Sequence, residues 1–177
     1  MSVPEFSHPL RADTIGDEPR TVAIEADEGE RAALARRFEL VAIDRLAAHF
    51  MIRRDAMGIV GDGRVEAAVT QACSVTGDPL PASIDEPVAL RFVEADDSGQ
   101  EEIELTDGDL DVIPYDGGAI DLGEVAAETM ALALDPFPRG PGAESALKAA
   151  GVISEEEAGP FSALAGLKDK LAGKQSG

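Results

Sequence analysis

Apolar and polar residues alternate with period two over much of residues 40–93, and apolar residues recur at helical spacing in two stretches that flank this region. The first segment, Thr21-Val-Ala-Ile-Glu25, is a short strand candidate. Asp27 then caps a helix expected over about Glu28 to Phe38, with Glu30 at capping-box spacing and Leu34, Arg37 and Phe38 near one face. Residues 46–53 read as a strand. Residues 57–73 read as one long or bulged strand pair, in which Val65, Ala67, Val69 and Gln71 alternate with polar or small neighbours and Gly61-Asp-Gly63 supplies a hairpin turn. Gly77-Asp-Pro-Leu-Pro81 reads as a loop. The next strand, over 84–94, puts Val88, Leu90 and Phe92 on one face. Residues 103–113 alternate weakly and suggest a short strand, followed by a turn over 114–118. Asp121 caps a second helix with Glu124 at the capping-box position. Its stripe of Leu122, Val125, Ala126, Thr129, Leu132 and Ala133 reads as core packing, and Pro136 and Pro138 end it.

This pattern predicts an α+β fold: an antiparallel β meander with a short N-terminal helix and one amphipathic helix after an acidic segment. The expected organisation is a partly ordered N-terminal extension over 1–19, a single domain over 20–138, a mobile Gly- and Ala-rich linker over 139–158 and a C-terminal docking tail over 159–177. In the tail Phe161, Leu164 and Leu167 with Lys168 recur at helical spacing, which predicts a short amphipathic helix.

Charge narrows the function classes. The 177 residues hold 15 Lys and Arg against 35 Asp and Glu, a formal net charge of -20. Residues 92–138 contain 14 of those acids and no Lys or Arg, so this segment is not a surface for phosphate backbones. It suits basic partners instead. Basic residues concentrate in the first third, where Arg36, Arg37, Arg53, Arg54 and Arg64 form the best alternative patch for direct RNA contact. With few aromatics beside it, that patch does not suit single-strand stacking. No apolar run approaches the ~20 residues of a membrane span, and the first ten residues lack the apolar core of a secretory signal. The lone Cys73 fits a reducing compartment. A cytoplasmic location is therefore expected, with no membrane partner.

Catalytic, cofactor and metal constellations are not expected. His8 and His49 are the only histidines, and His49 reads as a strand-face residue. There is no phosphate-cradling loop of P-loop type. Asp107-Gly-Asp-Leu-Asp111 begins like a calcium loop, but Val112 and Gly118 stand where such a loop needs Gly and Glu. Carboxylates abound without a distinguished pair. The expectation is a protein without catalytic function, cofactor or small-molecule substrate.

Three ordered segments together resemble the YceD family of large ribosomal RNA subunit accumulation proteins. They are Val65-Glu-Ala-Ala-Val-Thr-Gln-Ala-Cys-Ser-Val-Thr-Gly-Asp-Pro79, then Gly118-Ala-Ile-Asp-Leu-Gly-Glu124 with Leu132-Ala-Leu-Asp-Pro-Phe-Pro138, and finally Gly159-Pro-Phe-Ser-Ala-Leu-Ala-Gly-Leu-Lys-Asp-Lys170. The resemblance spans about residues 22–170. It implies a bacterial, non-enzymatic α+β protein acting in large-subunit ribosome biogenesis. Many relatives carry Cys-x-x-Cys in the first segment, half of a tetrahedral zinc site. Here Thr76 stands at the second position and residues 139–142 offer no ligand, so no metal is expected and Cys73 reads as a buried structural thiol.

The functional expectation is an acidic factor that binds a basic ribosomal protein or a large-subunit assembly factor, with ribosomal RNA engaged indirectly. Glu101, Glu102, Asp107, Asp109, Asp121 and Glu128 are the candidate acidic contacts. Phe161, Leu164, Leu167 and Lys168 are the candidate docking residues of the tail.

Overall fold

The computed structural model describes residues 4–95 and 111–152. The chain divides into two compact units, one of residues 1–72 with 79–138 and one of residues 73–78 with 139–177.

The first unit is built on a five-stranded sheet. Its strands are β2 (Arg20–Glu25), β3 (Ala42–Asp55), β4 (Gly58–Ala72), β5 (Pro79–Glu94) and β6 (Asp111–Tyr115), side by side in that order. The first four pair antiparallel, as the alternation predicts, but β6 joins β5 parallel, with Phe92 opposite Ile113. A separate pair is formed by β1 (Pro9–Arg11) and β7 (Ala119–Asp121). The expected meander is therefore corrected at the β6 edge of the sheet and in the N-terminal segment. β1 lies within the span read as an N-terminal extension, and Phe6, Leu10, Ala12 and Ile15 from that span are buried in the core.

Strands β3 to β5 are long, and past an irregularity between Ile43 and Arg45 their apolar residues keep phase. Leu46, Ala48, Phe50 and Ile52 of β3 meet Ala67, Val65, Gly63 and Gly61 of β4, and across β4 the same rows continue to Ile84, Val88 and Leu90 of β5. These residues face the core, while Arg45, His49, Met51 and Arg53 lie on the other face. The reading of Gly61-Asp-Gly63 as a hairpin turn is overturned, since all three residues sit inside β4 and pair on both sides. The chain actually reverses at Ala56-Met57, between the paired Asp55 and Gly58. The glycines serve packing. A Cβ on Gly61 would lie 2.9 Å from Ile52 Cδ1, and one on Gly63 would lie 2.9 Å from Phe50 Cδ1 and run into the His49 carbonyl.

Among its described residues this unit carries two α-helices. In α1 (Glu28–Arg37), the Asp27 carboxylate accepts from the Glu30 N–H at 2.9 Å, and the Glu30 carboxylate accepts from the Asp27 N–H at 2.8 Å. This is the reciprocal cap that the spacing predicts. Leu34 is fully buried. In α2 (Leu122–Leu132), Leu122, Val125, Ala126, Ala127 and Met130 are buried. Leu132, read as a core residue, is instead 87% exposed. The helix ends there, and Ala133 and Leu134, just after it, pack partly buried against the core in its place. None of the described helices is long and apolar enough to cross a membrane.

In the second unit, residues 73–78 form a turn closed by the Cys73 N–H donating to the Asp78 carbonyl at 2.8 Å and the Gly77 N–H donating to the Cys73 carbonyl at 2.9 Å. The span read as a mobile linker contains a short helix, α3 (Ala143–Ala149). Lys148 pairs with Glu144 one turn back at 2.7 Å.

Candidate functional site

The candidate residues fall into three groups, and the fold treats them differently. Glu101, Glu102, Asp107, Asp109, Phe161, Leu164, Leu167 and Lys168 lie outside the described residues. Asp121 is occupied with holding the fold. Its carboxylate caps α2 by accepting from the N–H groups of Gly123 at 3.0 Å and Glu124 at 3.3 Å. It also accepts from the Ser7 hydroxyl at 2.6 Å and the His8 N–H at 2.7 Å, fastening the N-terminal segment to the start of α2. Gly123 permits this closeness, because a Cβ there would come within 2.6 Å of the Phe6 carbonyl oxygen. Glu124 completes the arrangement. Both of its oxygens take hydrogen bonds from Arg37, at 2.6 and 2.9 Å, and Arg37 also reaches Glu5 at 3.1 Å. Glu124, followed by Glu5, raises the Arg37 pKa well above the ordinary guanidinium value, against the opposing effect of burial. The segment Asp121-Leu-Gly-Glu124 is thus a structural lock joining three parts of the chain.

The arginine patch is largely engaged as well. Arg37 is committed to Glu124 and Glu5. Arg54 donates to the backbone carbonyls of Ala12 at 2.6 Å and Ile15 at 3.1 Å. Arg64 pairs with Asp85 across β4 and β5. The side chains of Arg36 and Arg53 make neither an ion pair nor a hydrogen bond among the described residues. Arg53 adds a minor share to the field that holds the Asp55 carboxyl below the usual range, behind the hydrogen bond from Arg91 and the Met57 N–H.

Glu128, by contrast, is exposed on α2 and has no cationic partner among the described residues. It lines a cleft of about 470 Å³ floored by Ile113, Tyr115, Ile120 and Val125 and edged by Asp116, Asp121 and Glu124. A second cleft, of about 580 Å³, lies farther along the same helix and is lined by Val88, Leu90, Thr129 and Leu132 together with Glu86 and Asp111. No Lys or Arg lines either cleft. Ala95 lines the first and Asp111 the second, so the described residues on either side of positions 96–110 border this surface. Periodicity did not reveal these clefts. The signal that pointed toward them was the absence of cations from residues 92–138.

Cys73 is buried, 3% exposed, and its sulfur accepts from the Gly140 N–H at 3.3 Å. That contact first, then the Thr76 hydroxyl and the N–H groups of Thr76 and Val75, holds the thiol pKa down to about 6, against an ordinary value of 9.0. Thr76 stands at the second position of a Cys-x-x-Cys spacing, and its hydroxyl donates to the Asp78 carboxylate at 2.7 Å. A folded-state pKa below the unfolded one favours folding in the thiolate form. The contribution of Cys73 is therefore complete above about pH 9 and lost as pH falls through about 6. The stability difference between the native chain and Cys73→Ala is expected to widen from pH 6 to pH 9 in urea titrations. A difference that stays flat with pH would remove the thiolate from this account.

Among known protein families, the model described as "Large ribosomal RNA subunit accumulation protein YceD" matches residues 61–168, more than half of the chain. The match begins within β4 and takes in β5, β6, β7 and α2, the elements that form the two clefts and carry Asp121 and Glu124 of the lock. No curated protein and no solved structure matches the chain.

Proposed function

We propose that this chain, which belongs to the YceD family and so to proteins concerned with accumulation of the large-subunit ribosomal RNA, acts without catalysis by binding a basic ribosomal protein or a large-subunit assembly factor. Ribosomal RNA is then engaged indirectly, through that partner. The observation that carries this reading is the α2 surface, whose two clefts are edged by carboxylates and lined by no cation, with Asp111, Asp116 and Glu128 unpaired among the described residues. Basic ribosomal proteins carry surplus charge that binds RNA indiscriminately until it is screened. A strongly acidic surface attracts such a partner over long range, at rates that fall with salt. The same negative field opposes direct contact with phosphates, and three of the five candidate RNA-contacting arginines, Arg37, Arg54 and Arg64, are already engaged within the fold.

The test is binding to purified basic ribosomal proteins at low and moderate salt. Neutralising Glu101, Glu102, Asp107 and Asp109 to their amides is expected to weaken binding about tenfold at low salt, the sum of four modest exposed pairings, and to flatten the salt dependence. Unchanged affinity would reject the acidic segment as the contact. Affinity capture of the tagged chain from cells, with and without ribonuclease, separates this reading from direct RNA binding. Ribosomal proteins retained after ribonuclease support it. Loss of all partners on ribonuclease would move attention to Arg36 and Arg53.

A further inference from the structure

The C-terminal end of α2 and the turn after it expose two large apolar side chains, Leu132 at 87% and Phe137 at 71%. The Asp135 carboxylate accepts from the Phe137 N–H at 2.9 Å, the Asp135 carbonyl accepts from the Gln71 side chain of β4 at 2.9 Å, and Pro136 and Pro138 restrict the turn on either side of Phe137. The turn that carries Phe137 is therefore tied to the sheet. Apolar groups held in place by their own fold lose little freedom when a partner covers them, which favours their use as anchors. Leu132 lines the cleft that also holds Asp111, and α2 carries the surface on to Glu128 and the Tyr115 cleft.

We propose that this surface, from Glu128 to Phe137, docks one amphipathic basic segment of the partner, with its apolar side chains on Leu132 and Phe137 and its cations against Glu128 and Asp111. The inference rests on the protein-binding function proposed above and assigns that function to a site. Charge complementarity selects the occupant. An acidic or neutral segment leaves desolvated carboxylates without counter-charge. A nucleic acid sets phosphates against them. A second copy of this chain, docked through the same face by two-fold symmetry, opposes like charges across the interface.

The test uses the full chain and three labelled synthetic peptides of about 14 residues, read by fluorescence anisotropy, with backbone amide NMR to map the contact. One peptide combines leucine and lysine at helical spacing, one replaces its leucines by glycine, and one replaces its lysines by glutamate. The leucine–lysine peptide is expected to bind and to shift amide signals of α2 and of residues 134–138. The double variant Leu132→Ser with Phe137→Ser is expected to weaken it about tenfold or more, as loss of two apolar anchors does, and Glu128→Lys to weaken it further at low salt. All three substitutions are at exposed positions, and urea unfolding midpoints close to the parent's show that the fold is retained. Equal binding of the leucine–lysine and glycine–lysine peptides, unaffected by the double variant, would overturn the site while leaving an acidic, protein-binding function standing. If basic ribosomal proteins also failed to bind, both would fall. Signals of α2 that shift with protein concentration alone would give the surface to a second copy and overturn the proposal.

Discussion

Replacing Gly63 with valine is expected to destabilise the protein by about 3 kcal/mol, the upper range for forcing volume into a packed core. Gly63 sits in the middle of β4, with Phe50 of β3 on one side and Val88 of β5 on the other. A Cβ there meets the His49 carbonyl oxygen and lies 2.9 Å from Phe50 Cδ1 and 3.1 Å from Phe50 Cα. Two of those three atoms are backbone, so relief requires β3 and β4 to part. Phe50 is 1% exposed and among the largest side chains in the core, which leaves it nowhere to turn. Gly61 is a milder case, since its nearest obstacle is the Cδ1 end of Ile52, and alanine there is expected to cost about 1 kcal/mol. Gly16 is the control. Nothing lies within 4 Å of a Cβ there and its backbone is not left-handed, so Gly16→Ala is expected to be neutral or stabilising by about 0.5 kcal/mol. Urea unfolding of the three variants checks the order. Gly63→Val as stable as Gly16→Ala would mean that β3 and β4 do not pack as described.

Asp121→Ala is expected to cost about 2–3 kcal/mol, more than an ordinary helix cap. The substitution removes the acceptor for two N–H groups at the start of α2 and, in the same step, the acceptor for Ser7 and His8. Hydrogen bonds to a charged acceptor are stronger than neutral ones. The damage reaches beyond the helix, because Phe6 and Leu10 on either side of His8 are core residues. Asparagine retains one side-chain carbonyl and caps helices well, so Asp121→Asn is expected to recover at least half of the loss. Unfolding midpoints measure the cost. Amide exchange at residues 6–11 measures its spread, and it is expected to rise in the alanine variant and much less in the asparagine variant. A loss confined to α2, with exchange at 6–11 unchanged, would show that the N-terminal segment is held by other means.

These two positions also show what a single sequence conceals. Gly61-Asp-Gly63 has the composition of a turn, and read locally it interrupts a strand. Phe50, Ile52 and Phe92 claim the space that side chains at 61 and 63 would need, and those residues are 9 to 31 positions away. Asp121 was legible as a cap because capping is a relation between residues two or three apart. Its hold on Ser7 and His8 was not legible, because the pairing of β1 with β7 joins residues more than 100 positions apart. Leu132 fits the helical stripe by spacing, yet spacing does not say that the helix stops there and that Ala133 and Leu134 take the core contact instead. The arginines of the first third look like a patch in sequence. In the fold Arg37, Arg54 and Arg64 are drawn to different partners, each fixed by strand register or helix docking.

What the chain alone determined is what depends on near neighbours and on totals. That includes the period-two strands, the Asp27 and Asp121 caps, the net charge of -20, the cation-free stretch over 92–138 and the ordered motifs of the YceD family. Only the tertiary structure decided the parallel place of β6, the burial of the N-terminal segment, the exposure of Leu132 and Phe137 and the convergence of carboxylates on one side of α2. The reason is physical. Helical spacing, strand alternation, capping and net charge are set within a few residues or by simple addition. Burial, ion pairing and the shape of a docking surface depend on which distant segments come into contact, and it is the packing of the whole core that selects those contacts.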